Sequence, residues 1–179
     1  MLARMDAIRA RALLARAPGL SAEHLRALIA AVGGEPARAA EPRAAREVQL
    51  PRAARDFLSS PDEAAIEEDL AWLAASGARI MLCTDPDYPP LLGQTAGAPA
   101  ALYVLGSAQA LSSPQLAMVG SRSPTPSGRT TARAFAAWFA RAGLTVTGGL
   151  ALGIDGASRD GALSVEGLAL AAAVRRRAR

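Results

Sequence analysis

The sequence predicts an α/β protein in which a small all-helical domain precedes part of a parallel β-sheet. Apolar residues recur at helical spacing over residues 6–33, where Pro18-Gly19 and Gly33-Gly34 interrupt them. Further along, residues 116–147 form the pattern of a strand, a loop, an amphipathic helix and a second strand. A strand–helix–strand unit of this length is typical of a right-handed crossover between parallel strands. These two patterns together give the predicted fold class.

The N-terminal pattern predicts two helices joined by a tight turn. The first covers Asp6–Ala17, and Ser21 is a good N-cap for the second, whose apolar side carries Leu25 and Leu28. A helix, a Pro-Gly-Leu turn and another helix are typical of a helix-hairpin-helix or SAM-like module. Such a module can present backbone N–H groups to a DNA phosphate. A plain helical packing domain is the favoured alternative, because the turn carries no further glycine pattern.

The middle of the chain predicts one more helix and two short strands. Ser60 is the predicted N-cap of the helix, Glu63 completes a capping box, and Gly77 ends it. The apolar runs Arg79–Cys83 and Ala101–Leu105 are the predicted strands.

The strand–helix–strand unit has clear boundaries in the sequence. Its strands are Leu116–Val119 and Leu144–Thr147, and Gly143 ends the helix between them. That helix is amphipathic. One side carries the apolar residues Phe135, Trp138, Phe139 and Ala142, and its charged positions are Arg129, Arg133 and Arg141.

The basic charge of the chain is local. All 20 basic residues are arginines, four of them lie in residues 175–179, and 16 acidic residues balance the other 16. The net charge of +4 is therefore a property of the tail, and it does not indicate a nucleic-acid-binding surface over the whole protein. We interpret Arg175–Arg179 as a solvated charge run, with weak binding to DNA or a membrane as the alternative.

The sequence carries no signal for a membrane or secreted protein. It has no run of about 18 apolar residues, and no apolar signal-peptide core follows the N-terminal arginines. We therefore expect a cytoplasmic location and no membrane partner. Cys83, the single cysteine, lies in an apolar run and is expected to be a buried, unreactive thiol.

A phosphate site is predicted at the loop Gly120–Gly128, because ligands of open parallel sheets bind beyond the carboxyl ends of the strands. Gly120 allows a sharp turn, and small hydroxyl residues leave backbone N–H groups accessible. The helix that begins near Ser127 adds a positive N-terminal end. Arg122 contributes a planar fork for a phosphate.

A second loop, Thr147–Asp155, follows the next predicted strand. Gly148 and Gly149 permit close approach of a ligand to the backbone, and Asp155 is expected to cap the following helix. Between Gln115 and Leu163 there are five arginines and two aspartates, so the local charge beside both loops is positive.

Other kinds of site find little support. The glycine pattern is neither Gly-x-Gly-x-x-Gly nor a P-loop, so binding of NAD or ATP is not indicated, and no cofactor is expected. No metal-ligand cluster occurs, and His24, the only histidine, is expected to be exposed or half-packed. No nucleophile–base set can be assembled, and the Asp155/Asp160 pair is poorly placed for acid–base chemistry. The sequence therefore predicts a binding protein and not an enzyme.

A series of short motifs carries a resemblance to a known family. The matching residues are, in chain order, Asp87-Tyr88-Pro89 with Leu92, Pro99 with Leu102-Tyr103 and Gly106, Val119-Gly120-Ser121-Arg122 with Thr125 and Gly128, Gly148-Gly149-Leu150-Ala151, Gly153-Ile154-Asp155, and Gly161-Ala162-Leu163. Over residues 60–163 the chain resembles the DNA-processing protein A (DprA, or Smf) family, and its N-terminal helices resemble that family's SAM-like domain.

The resemblance implies an extended Rossmann-like fold that binds single-stranded DNA and helps to load the recombinase RecA during natural transformation. It also implies that full-length members form homodimers and are not catalysts. The implied DNA-phosphate residues are Gly120, Ser121, Arg122, Thr125, Gly148 and Gly149.

The chain departs from the family pattern at three places. Leu152 stands where the family has arginine, and Ser158-Arg159 stands where it has Ala-His. After Leu163 the expected glycine turn and strand do not follow, so we expect a partial Rossmann-like sheet, truncated within its domain. The predicted segments are a helical domain and linker at 1–58, the Rossmann-like part at 59–163 and a divergent tail at 164–179. A partial sheet leaves an apolar face and an unpaired edge, which predicts marginal stability, aggregation or a need for a partner.

Two alternatives to DNA binding stay open. A nucleotide phosphoribohydrolase of Rossmann type also uses a Gly-Gly phosphate turn, although the downstream acidic residue that it needs is missing. A non-functional remnant of the family is the other.

Overall fold

The computed structural model describes residues 2–172, with side chains from residue 6 onward. It divides the chain into two compact units that meet between Ala108 and Gln109. The helices of the first unit are α1 (Leu2–Arg16), α2 (Ala22–Ala31), α3 (Pro36–Ala39), α4 (Arg52–Ser59), α5 (Glu63–Ser76) and α6 (Pro90–Gly93), and its strands are β1 (Arg79–Leu82) and β2 (Ala101–Val104). The second unit contains β3 (Gln115–Ala117), α7 (Pro126–Arg141), β4 (Thr145–Gly148), α8 (Ile154–Leu163) and β5 (Ala169–Ala171).

This architecture confirms the predicted class, an α/β protein with a helical N-terminal region and a parallel sheet. The boundary between the two compact units lies after Ala108, later in the chain than the predicted boundary after residue 58. The division into three segments stays a prediction. Among the described residues, no helix has both the length and the apolar character needed to cross a membrane. The arginine tail at 175–179 lies outside the described residues.

The first unit contains an antiparallel strand pair beside its helices. Strands β1 and β2 pair with Arg79 opposite Val104, and α1 packs against α5 and β1. One buried acid ties these elements together. The carboxylate of Asp69 on α5 accepts hydrogen bonds from Arg16 Nε at 2.6 Å and from the Tyr103 hydroxyl at 2.6 Å. The hydrogen bond with Asp69 raises the pKa of Arg16.

Two helix starts in this unit show how far capping can be predicted. Ser21 is the N-cap of α2 as expected, and a capping box forms because His24 Nδ1 accepts from the Ser21 backbone N–H. The predicted Ser60–Glu63 box is wrong. The N-cap of α5 is Asp62, whose carboxylate accepts from the N–H of Ala65 at 3.1 Å. An aspartate next to the first helical residue is an N-cap as good as serine, so the helix begins later.

The second unit is a three-stranded parallel sheet in the order β3-β4-β5. Leu116 lies opposite Val146, and Val146 lies opposite Ala169. The buried Val146 packs with Ala136 of α7 and Ala162 of α8, so both helices cover the same face of the sheet. The carboxyl ends of the strands therefore meet at one edge, beside the N-termini of α7 and α8.

Helix α7 buries a different side from the one its aromatic residues mark. Its buried residues are Ala132 and Ala136, whereas Phe135 is 54% exposed and Trp138 is 62% exposed. An amphipathic pattern normally places the large apolar residues against the core. Here only alanine fits, because α7 and α8 pack closely with each other and with the sheet. The aromatic side of α7 is exposed to solvent in the described structure.

Strand β5 corrects the expectation that no strand follows Leu163. Ala169–Ala171 pairs in parallel with β4, and the N–H of Ala172 donates to the carbonyl of Gly148 at 2.8 Å. The sequence gives little sign of this strand, since alanine has a low intrinsic preference for strands. Hydrogen bonding to β4 decides its conformation, which is a tertiary effect.

Candidate functional site

The first loop of the candidate site, residues 118–125, leaves β3 and enters α7. Gly120 packs closely against Ile154, since a Cβ added to Gly120 would lie 2.8 Å from Ile154 Cγ1. The next two residues, Ser121 and Arg122, are exposed. The hydroxyl of Ser121 accepts from the Ser123 N–H at 3.1 Å, which tightens the turn. The loop is therefore shaped by its own contacts and presents the Arg122 side chain to solvent.

Thr125 is the N-cap of α7. Its Oγ1 accepts from the N–H of Gly128 at 3.1 Å, and Pro126 occupies the first helical position. The predicted helix start near Ser127 is confirmed within one residue. The Thr125 hydroxyl is thus engaged in the cap, and its place at the site is at the positive end of the helix.

The second loop, residues 148–153, is organised by Asp155 of α8. Asp155 is 7% exposed, and its carboxylate accepts from the N–H of Gly149 at 2.8 Å and from that of Ala151 at 2.6 Å. A Cβ at Gly148 would lie 2.7 Å from Asp155 Cγ, so only glycine leaves room for this carboxylate. The expectation that Asp155 caps α8 is wrong: the N-cap is Gly153, and Asp155 reaches back to the loop.

Leu150 lies between these two hydrogen bonds in a left-handed conformation, with φ of 60°. This conformation is unfavourable for leucine. The hydrogen bonds that the N–H groups of Gly149 and Ala151 donate to Asp155 hold Leu150 in this conformation. The N–H groups of Gly149 and Ala151 are consequently occupied by an internal carboxylate.

The two loops touch at the start of α8. The Ile154 N–H donates to the Ser121 carbonyl at 3.0 Å. Gly153 has φ of +85°, and a Cβ there would collide with the Ser121 carbonyl and lie 2.7 Å from Arg122 Cα. The structure therefore brings Gly120, Ser121 and Arg122 against residues 153–154. Gly148 and Gly149 lie on the Asp155 side of the second loop, towards β5.

The arginines of this unit differ from those of the first unit in their partners. In the described part of the chain, every ion pair belongs to the first unit, for example Arg11 with Asp85 at 2.5 Å. The second unit's arginines up to residue 172 have no such pair; they are Arg122, Arg129, Arg133, Arg141 and Arg159. Arg159 lines a shallow depression at the carboxyl ends of β4 and β5, together with Thr147 and Ser158. Over the described residues of this unit, the positive charge beside the loops is therefore not held in ion pairs.

Sequence reasoning missed the roles of Gly153, Ile154 and Asp155. The signal was the Gly-Ile-Asp triplet that follows the Gly-Gly turn after three intervening residues, which places the acid close enough to reach back to the loop. Among the described residues, no group of three or more His, Cys, Asp or Glu side chains could hold a metal ion. His24 lies outside this unit and belongs to the capping box of α2.

Comparison with known proteins shows which family this sequence is similar to. The sequence profile described as DNA recombination-mediator protein A matches residues 79–174. The chain is 42% identical over 120 residues to Protein Smf of Escherichia coli strain K12, covering 67% of this chain and 32% of the relative. It is 36% identical over 91 residues to Protein Smf of Synechocystis sp. strain PCC 6803, covering 49% of this chain and 23% of that protein.

A solved structure shares the fold. The X-ray structure of DNA processing protein A (DprA) from Streptococcus pneumoniae matches with a TM-score of 0.56 and 23% sequence identity. The match covers 89% of this chain and 55% of the other. The chain thus spans about a third or less of the curated relatives and about half of this structural neighbour. The family match continues past Leu163 to residue 174, so the expectation that the family pattern ends at Leu163 is wrong.

Proposed function

Because the chain belongs to the DNA recombination-mediator protein A family, we propose that its second unit binds single-stranded DNA through phosphate contacts at the first loop. The proposed DNA contacts are Gly120, Ser121, Arg122, Thr125, Gly148 and Gly149. We also propose that the protein acts in the cytoplasm and assists loading of a RecA-type recombinase on DNA that enters during natural transformation. In this proposal it is a binding protein and not an enzyme.

The observation that carries the proposal is the position of Arg122. It is exposed, it has no carboxylate partner among the described residues, and it lies three residues before Thr125, the N-cap of α7. Backbone N–H groups and the positive helix end favour an anion there, and a guanidinium holds a phosphate by two hydrogen bonds. Arg129, on the first turn of the same helix, adds to the local charge.

The two glycines of the second loop support the phosphate site indirectly. The Gly149 N–H already donates to Asp155, and Gly148 provides the space for that carboxylate. Their proposed contribution is the close approach of the backbone to the DNA strand, while the charge comes from the first loop.

The test is binding of a fluorescent oligo-dT over a salt series. Each phosphate contact contributes about 0.7 to the slope of log affinity against log salt for a single strand. We expect Arg122→Ala to weaken binding at about 50 mM salt and to reduce the slope by about that amount. Arg141→Ala is the matched control, because it removes the same charge from the last turn of α7.

Each outcome has a clear meaning. Equal losses for Arg122→Ala and Arg141→Ala would show non-specific attraction and contradict the site. Unchanged binding in Arg122→Ala, with loss in a chain that ends after Ala172, would assign binding to the arginine tail. No binding by the wild-type chain would leave the interpretation as a non-functional remnant.

A further inference from the structure

The second loop ends in two exposed apolar side chains, which we call the apolar tip: Leu150 and Leu152. Leu150 is 59% exposed and Leu152 is 81% exposed. Exposed leucines are ordinary when they are scattered. These two are one residue apart on a loop whose conformation is held by a buried carboxylate, so their position is built into the fold.

Asp155 decides what this loop can offer a ligand. Its two hydrogen bonds occupy the N–H groups of Gly149 and Ala151, which are the donors that would otherwise bind an anion. The same bonds hold Leu150 at φ of 60°. The loop therefore presents leucine side chains and fewer backbone donors to its surroundings.

The apolar tip lies beside the cation of the phosphate site. Gly153 follows Leu152 directly, and a Cβ at Gly153 would lie 2.7 Å from Arg122 Cα. Consecutive Cα atoms are about 3.8 Å apart. The Cα of Leu152 therefore lies within about 8 Å of the Cα of Arg122, so a ligand that is longer than this distance can span the two residues.

We infer that the apolar tip contacts unpaired bases of the strand whose phosphate Arg122 holds, and that Asp155 is the positioning residue for the tip. This inference rests on the proposed function. A nucleotide has an anionic phosphate next to a flat base with an apolar face, which matches an arginine next to two leucines. A second copy of the chain is a poor occupant, because a stable protein interface needs about 800 Å² per partner and the tip offers two side chains beside an unpaired cation.

The experiment compares two oligonucleotides of equal length, oligo-dT and an abasic strand that keeps the phosphates and sugars. The test variant is Leu150→Asn with Leu152→Ser, since asparagine tolerates the left-handed conformation. We expect it to lose about tenfold affinity for oligo-dT, with the salt slope unchanged and with little change for the abasic strand. Leu168→Ser is the control, because Leu168 is exposed at the opposite end of β5.

Asp155→Asn tests the positioning role. The two N–H groups donate to different oxygens of the carboxylate, and asparagine replaces one of these oxygens with an NH2 group, which is a donor. We expect a larger loss of affinity for oligo-dT than for the abasic strand, a difference that a general loss of folding would not produce. Equal losses on both strands, or wild-type affinity of the double leucine variant for oligo-dT, would overturn the inference while leaving the phosphate site intact. If the wild-type chain binds neither strand, the proposed function fails and this inference fails with it.

Discussion

The backbone N–H of Ile154 donates to the carbonyl oxygen of Ser121 at 3.0 Å and joins the two loops of the candidate site. Gly153, the residue before Ile154, packs against the same carbonyl, and Asp155, the residue after it, holds the second loop. Three consecutive residues at the start of α8 therefore fix the positions of both loops. The site is formed only when α8 is docked on the sheet, so its geometry is linked to the stability of the second unit.

The first prediction concerns the contact of Gly153 with the first loop. Gly153 and Gly143 both have φ of +85°, but a Cβ at Gly143 would meet nothing within 4 Å. We expect Gly143→Ala to lower the free energy of unfolding by about 1–2 kcal/mol, the cost of the left-handed conformation. Gly153 has ψ of −127°, outside the left-handed helical region, so Gly153→Ala adds both backbone strain and overpacking, and we expect about 2–5 kcal/mol in total. Chemical denaturation of both variants measures the difference. Equal costs would contradict the close approach of the loops.

The site could be predicted in part from the sequence. A glycine turn after a strand predicts the phosphate site at Gly120, Ser121 and Arg122, because that pattern is local in the sequence. The contact between Ser121 and Ile154 joins residues more than thirty positions apart, so no local pattern contains it. Asp155 was noticed, but its role depends on the space left at Gly148, which only the folded loop reveals.

The second prediction concerns the exposed aromatic side of α7. Trp138→Gln removes a large exposed apolar group whose ring contacts Phe139 at 5.1 Å. We expect the free energy of unfolding to change by about 1 kcal/mol or less, and the soluble monomer fraction to rise in size-exclusion chromatography. Ala136→Leu, on the buried side, is expected to cost about 1–3 kcal/mol by overpacking. A larger cost for Trp138→Gln than for Ala136→Leu would mean that the aromatic side is covered in solution.

The helices show why the fold could be predicted more fully than its packing. Periodicity identified α7 and its end at Gly143, since both depend on residues close in sequence. The same periodicity places Phe135 and Trp138 on the apolar side of the helix, although Ala132 and Ala136 are the residues that are buried. The close packing of α7 against α8 and the sheet selects small residues, and that selection depends on tertiary structure.

The third prediction concerns the buried carboxylate of the first unit. Asp69→Asn keeps the size of the side chain but removes the charge of the carboxylate nearest to the Arg16 guanidinium, whose other carboxylate neighbour, Glu68, is 3.9 Å away. We expect a loss of about 2–4 kcal/mol in the free energy of unfolding, below the cost for a fully buried pair because Arg16 keeps some contact with water. Tyr103→Phe removes only one neutral donor and is expected to cost about 0.5–1.5 kcal/mol. Urea denaturation followed by circular dichroism compares the two, and a smaller effect for Asp69→Asn would contradict this role of the ion pair.

The last prediction concerns the thiol of Cys83. Burial raises the pKa of Cys83 above its ordinary value of 9.0, since the thiolate loses solvation, and the thiol group contacts the carbonyl of Ala22. At pH 8 we therefore expect much slower labelling by a thiol reagent in the native protein than in urea.

The same shift makes stability depend on pH. Because the pKa of Cys83 is higher in the folded than in the unfolded state, the stabilising contribution of the buried thiol is complete below the unfolded pKa and is lost as pH rises through the folded pKa. The melting temperature should then fall less between pH 8 and about pH 10 in Cys83→Ala than in the wild type. Tyr88 is present in both proteins, and its pKa is raised by burial and by the charge of Cys83, so the difference between the proteins reports the thiol together with its effect on Tyr88. Equal falls together with rapid native labelling would show that Cys83 is exposed to solvent.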